Sequence, residues 1–153
     1  MERSSSVKIR WLVILALGIY TVIMGVAVIV GAEGSVASDF TTFTGKSWSE
    51  YATANPKAAE LHVLDARTMG TLALTIGLLI VLIASNAYRR AEKWSWFSLL
   101  VAGGISWGLY LGYSLTVGSG GGLITMIIVG IVLLILGLAV PARTIFGEKP
   151  SSR

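Results

Sequence analysis

The side chains best suited to chemistry in this sequence lie together in Glu60-Leu61-His62-Val63-Leu64-Asp65-Ala66-Arg67. On a helix, residues three apart share a face, so His62 and Asp65 are placed to orient one another, while Glu60 and Arg67 nearly align two turns apart. One reading makes His62 a general base oriented by Asp65, with Arg67 holding an anionic group. A metal reading has His62 and Asp65 but lacks an evident third ligand, because Glu60 projects from another side, and no metal is expected. The reading with the fewest demands is a solvated, charged helix end in which Arg67 pairs with Glu60, Glu33 or Asp39. Arg67 shares a stripe with Gly70, Leu74 and Gly77, so if that stripe faces the interior the guanidinium needs a carboxylate or an anionic ligand. Glu33 is the expected structural partner. Tyr110 and Tyr113 join His62, Asp65 and Arg67 as candidate ligand-binding residues.

The elements that must position these groups are apolar. Of 153 residues, 54% are of the types AVILMFWYC, with 18 Gly besides, and 13% are charged; soluble domains carry about 25% charged residues. A chain this short cannot enclose so much apolar surface in a water-soluble core, so its solvent is lipid. There is no Cys, which excludes disulfides, thiolate nucleophiles and thiolate metal sites.

Four stretches without Asp, Glu, Lys, Arg or His, at 11–30, 68–88, 94–116 and 123–140, are long enough to cross a bilayer core. That core is about 30 Å thick, and a helix rises about 1.5 Å per residue. One charged residue at mid-helix costs about 2.5 to 3.5 kcal/mol on insertion scales, so each charge-free stretch reads as a span. The first is too long for the apolar region of a secretory signal and is expected to be retained. The expected fold is therefore all-α: a polytopic four-transmembrane-helix bundle, one membrane domain over 1–153, with a short helical outer cap in the 32–65 loop.

Charge sets the orientation. Nine of the 12 basic residues (Arg3, Lys8, Arg10, Arg89, Arg90, Lys93, Arg143, Lys149, Arg153) fall on the side shared by the termini and the second loop, for a net +6 there and −2 opposite. The positive-inside rule then places both termini in the cytoplasm and the 32–65 loop outside. A basic rim facing anionic lipid accounts for the pI of about 9.6 without nucleic acid. Trp11, Tyr88, Trp94 and Trp96 are expected as anchors at the cytoplasmic interface, and Trp107, Tyr110 and Tyr113 near the outer one.

In the outer loop, Ser47-x-x-Glu50 has the form of a capping box opening a helix near Trp48, and Asn55-Pro56 that of an N-cap with proline at N1, opening a helix continuous with span 2. Phe40, Phe43, Trp48 and Tyr51 supply rings to fold this loop over the bundle. Gly118-Ser119-Gly120-Gly121-Gly122 reads as a tight reversal; it lacks the Lys and the strand–loop–helix setting of a phosphate-binding loop.

Glycines read as packing devices. Gly104, Gly108 and Gly112 form a row on span 3, and the pairs Gly18/Gly25, Gly70/Gly77 and Gly130/Gly137 each repeat at seven residues. Small residues let helix backbones approach where lipid supplies no hydrophobic drive. Packing inside the bundle is expected ahead of docking onto a partner.

The order of an N-terminal span, a loop with Gly45-Lys-Ser-Trp48-Ser-Glu-Tyr51, then Arg67-x-x-Gly70 with Gly77, and the turn Tyr88-Arg-Arg-Ala-Glu-Lys-Trp-Ser-Trp96 resembles the DoxX-like assemblage of small four-helix membrane proteins over residues 10 to 115. Some of that assemblage are associated with quinone or respiratory complexes; the resemblance implies a fold more than an activity. With no ionisable group in any span, an ion-coupled carrier is disfavoured. The leading expectation is a non-enzymatic structural or accessory subunit whose partners are membrane lipids and a membrane protein or further copies of itself, with no cofactor. The rival is a lipid- or quinone-binding protein or small membrane enzyme with its site at the outer end. A self-associating channel is a third reading.

Overall fold

The computed structural model describes residues 5–118 and 121–146. Six α-helices follow one another: α1 (Ser5–Val30), α2 (Ala32–Thr44), α3 (Trp48–Ala54), α4 (Pro56–Ser85), α5 (Lys93–Val117) and α6 (Gly121–Phe146), with a 3-10 turn at Tyr88–Arg90. Among the described residues there is no strand. Four segments, Trp11–Val30, Pro56–Arg90, Lys93–Val117 and Leu123–Val140, are long and apolar enough to cross a membrane. The protein is thus an all-helical four-helix bundle with the build of a multi-pass membrane protein. The basic residues Arg3, Lys149 and Arg153, and Ser119 and Gly120 of the expected reversal, lie outside the described residues.

The helices pack in the order α4, α1, α6, α5, and the largest interface is that between α1 and α4. Its cause is glycine. A Cβ on Gly25 would stand 2.5 Å from the Leu74 amide nitrogen, one on Gly77 2.6 Å from that of Val22, one on Gly18 2.9 Å from that of Val81 and one on Gly70 2.9 Å from that of Ile29. These neighbours are backbone atoms, which cannot rotate aside, so only a residue without a side chain permits the approach. The heptad-spaced pairs on α1 and α4 therefore interlock with each other. On α6, Gly130 lies against the Trp107 ring and Gly137 against Ile14, each making room for a large side chain at the centre of the bundle.

The expected internal packing of Gly104, Gly108 and Gly112 does not occur: a Cβ on any of them would meet nothing within 4 Å, and all three are exposed. The α5 face turned inward is the one bearing Leu99, Gly103, Trp107 and Ser114, and the row lies to one side of it.

Two expected anchors are core residues. Trp107 is 6% exposed, with Tyr20 stacked on it at 6.3 Å. Tyr88 is 4% exposed and donates a 2.6 Å hydrogen bond to the Gly137 carbonyl. Pro141 lies four residues beyond Gly137 on the same helix and has no N–H, so this carbonyl loses its intrahelical donor and Tyr88 supplies one instead. Trp96 Nε1 donates to the next carbonyl, Leu138, at 2.9 Å. Two aromatic donors thus tie the α4–α5 corner to α6. The same corner is fastened to α1 by Arg89, whose guanidinium carbon lies 5.4 Å from the Trp11 ring centre.

Because backbone blocks the space at Gly77 and nothing occupies it at Gly108, Gly77→Val is expected to destabilise the chain by about 1 to 3 kcal/mol or to prevent folding. Gly108→Ala is expected to change stability by less than about 0.5 kcal/mol. Thermal melting of both variants in one mild detergent makes the comparison.

Candidate functional site

The outer end of the bundle is built by α2, α3 and the first turns of α4. At about 1.5 Å per residue, the 30 residues of α4 measure about 45 Å, so this helix stands well clear of a hydrocarbon core of about 30 Å. α2 was not legible as a helix in the sequence. It continues from α1 past Gly31, whose N–H still donates to the Ala27 carbonyl at 2.8 Å, and it ends at Gly45, which has φ of 69°. In its last turns Thr41, Thr42 and Thr44 return their hydroxyls to the carbonyls four residues back. Helix α3 starts at Trp48 and α4 at Pro56, as the sequence implies. The side-chain caps do not form: the Ser47 hydroxyl meets that of Ser49 at 2.8 Å, and the Asn55 amide donates back to the Tyr51 carbonyl at 3.3 Å. The proline at N1, which needs no N–H partner, starts α4 without one.

The rings hold the cap together. Phe40 and Tyr51 are 4.7 Å apart centre to centre, Phe40 and Trp48 5.3 Å, and Trp48 and Tyr51 5.7 Å. Phe43, expected in this group, is 68% exposed and stands apart. Its place is taken by His62, whose imidazole lies 6.3 Å from Trp48 and 6.2 Å from Tyr51. His62 thus pins α3 to α4 as a fourth ring. No hydrogen bond joins it to Asp65 among the described residues, and both are exposed.

Three concave regions surround this scaffold. The outer cavity, of about 320 Å³, is lined by Glu33, Trp48, Glu60, Val63, Leu64 and Arg67 among others. The expected Arg67–Glu33 ion pair is not made: the two line the same cavity, yet among the described residues neither has an opposite charge within 4.0 Å. α1 ends before Gly31 and α2 sets off from there, so Glu33 is carried by the cap helix and not by the α1 stripe that meets α4. Glu60 is paired with Lys57 at 2.9 Å.

A second region, of about 290 Å³, is a cleft between α4 and α5, which barely touch; Thr21 and Met24 line it from α1, Met69 and Ile76 from α4, Ser106 and Tyr110 from α5. The third, of about 390 Å³, is an apolar groove between α5 and α6 bordered by Gly104, Gly108, Trp96, Ile131, Leu134 and Leu138.

The five candidate ligand residues are therefore not brought to one place. Arg67 lines the outer cavity, His62 belongs to the ring cluster, Tyr110 lines the cleft, and Asp65 and Tyr113 are exposed, Tyr113 by 65%. Sequence reasoning placed Glu60 and Glu33 near Arg67 but missed Trp48, which lines the same cavity and is brought there by the turn between α3 and α4. Among the described residues, no group of three or more His, Asp or Glu is close enough to hold a metal ion. The fold and these sites define a four-helix membrane protein with an aromatic-clamped cap. Comparison of the chain with protein-family models, with curated proteins and with solved structures found no match.

Since the rings clamp α3, Trp48→Ala is expected to speed amide hydrogen exchange across 48–54, and Asp65→Asn to leave it unchanged, as read by mass spectrometry of the exchanged peptides.

Proposed function

We propose that the protein is a non-enzymatic accessory subunit that receives a helix of another membrane protein along α5. The observation that supports this reading most is how glycine is used. Gly18, Gly25, Gly70 and Gly77 each meet backbone of a neighbouring helix, and Gly103, Gly130 and Gly137 each meet a side chain of one, at under 3.0 Å from where a Cβ would stand. Gly104, Gly108 and Gly112, spaced four apart along one face of α5, have nothing above them. In lipid, a row of small residues contributes by letting a second backbone come close. An outward row bordering an apolar groove has the shape that a partner helix fits, and Leu100 and Ile105, both exposed, flank it with side chains to interdigitate.

The same proposal includes the orientation with both termini cytoplasmic and the cap outside, supported by the charge asymmetry, and kinship with the DoxX-like assemblage, supported by the quoted motifs and the four-helix build. The enzyme reading loses ground because His62, Arg67 and the tyrosines of α5 face different spaces.

Gentle extraction followed by native mass spectrometry is expected to find a stoichiometric membrane-protein partner, lost with Gly108→Leu while the melting curve stays unchanged; an isolated chain without a protein partner sinks the reading. The absence of Cys makes topology directly testable: an impermeant thiol reagent applied to whole cells is expected to label Ser49→Cys and to spare Arg90→Cys, and the reverse pattern inverts the orientation.

A further inference from the structure

Arg67 is the last charged residue before the apolar run of α4, which continues without charge from Thr68 to Tyr88. Of these, the 18 residues from Thr68 to Ser85 lie in α4 and rise about 27 Å at about 1.5 Å each, close to the hydrocarbon core of about 30 Å. With this run set in the hydrocarbon, the guanidinium comes to about the depth of lipid phosphates. Glu33 lies three residues beyond the end of α1, in the first turn of α2, so its carboxylate is slightly further from the hydrocarbon. Both line the outer cavity, and neither has an opposite charge within 4.0 Å among the described residues.

Two opposite charges that share a cavity without touching leave room for a molecule with a charge at each end. A simple anion would meet Arg67 but also the Glu33 and Glu60 carboxylates, and a simple cation would meet the guanidinium. A dipolar headgroup satisfies both, its phosphate on Arg67 and its ammonium toward Glu33. Trp48, also in the cavity wall, adds an aromatic ring, a group that attracts ammonium ions. Glu60 is already paired with Lys57, leaving Glu33 as the carboxylate available. Val63 and Leu64 on the same wall lead down to the apolar surface of α4, where acyl chains would follow.

We propose that the outer cavity binds the headgroup of a zwitterionic phospholipid, with Arg67 on the phosphate and Glu33 and Trp48 on the ammonium. The site lies on α2, α3 and α4, so it stands or falls independently of helix docking on α5.

The test uses the full chain in mild detergent with phosphatidylethanolamine and phosphatidylglycerol added in equal amounts, read by native mass spectrometry. One phosphatidylethanolamine per chain is expected to be retained in preference to phosphatidylglycerol. Losing one charge-assisted contact is expected to weaken that retention about tenfold or more in Arg67→Gln and in Glu33→Gln, whereas Arg67→Lys keeps most of it and Asp65→Asn all of it. Melting curves verify folding; should Arg67→Gln fail to fold, Glu33→Gln, at an exposed position, carries the test. Equal retention of the two lipids, or unchanged retention in Glu33→Gln, overturns the proposal. Displacement of the lipid by soluble phosphoethanolamine overturns the lipid source.

Discussion

The constraint from which the rest of the structure follows is the backbone-to-backbone contact of α1 with α4. Gly18, Gly25, Gly70 and Gly77 bring the two helices so close that main-chain atoms of one occupy the space of side chains on the other. In hydrocarbon, where burial of apolar groups gives no drive for association, close van der Waals contact over a long seam is what remains. A seam this tight uses up one face of α4. α6 then takes the other side of α1, and α5, connected to both α4 and α6, packs on α6. The cleft beside α4 and the outward glycine row of α5 are consequences of that arrangement.

Span 4 shows how the bundle manages a second constraint. Pro141 removes a backbone donor inside a helix, and Tyr88 and Trp96, the two aromatics at the α4–α5 corner, donate to the carbonyls of Gly137 and Leu138. Tyr88, which the sequence places at the interface for its amphipathic character, is instead buried where it meets the carbonyl that Pro141 leaves without a donor. The general preference of Trp and Tyr for headgroup depth is overridden by a specific hydrogen bond, because an unpaired carbonyl in lipid costs several kcal/mol.

How much could be read beforehand divides along physical lines. Charge-free stretches at 11–30, 94–116 and 123–140 match three membrane-length segments to within a residue, and 68–88 falls inside the longer Pro56–Arg90, since insertion energy depends mainly on composition. Pro56 marked the start of α4 for a covalent reason. The helix at 32–44 was invisible because its Gly, Ser and Thr residues carry weak local preference and it is held by packing on α4 and α3. Which glycine row faced inward was equally illegible: Gly70/Gly77, seven apart, and Gly104/Gly108, four apart, each put small residues on one face of a helix, and only the partner helix distinguishes them. The candidate site failed in the same way. His62, Asp65 and Arg67 are neighbours along the chain, but a helix sends them to different surroundings, and the groups that matter to Arg67 come from α2 and α3.

The central claim is that α1 and α4 form the interlocked pair while the α5 glycine row remains uncovered by this chain. Solid-state NMR of the protein labelled at glycine with ¹³C, in lipid bilayers and diluted with unlabelled chain, tests it most directly. Cross-peaks joining Gly25 to Gly70 and Gly18 to Gly77 are predicted, with none linking Gly104, Gly108 or Gly112 to glycines of another helix. Cross-peaks from the α5 row to α1 or α4, with the Gly25–Gly70 peak missing, would contradict the account.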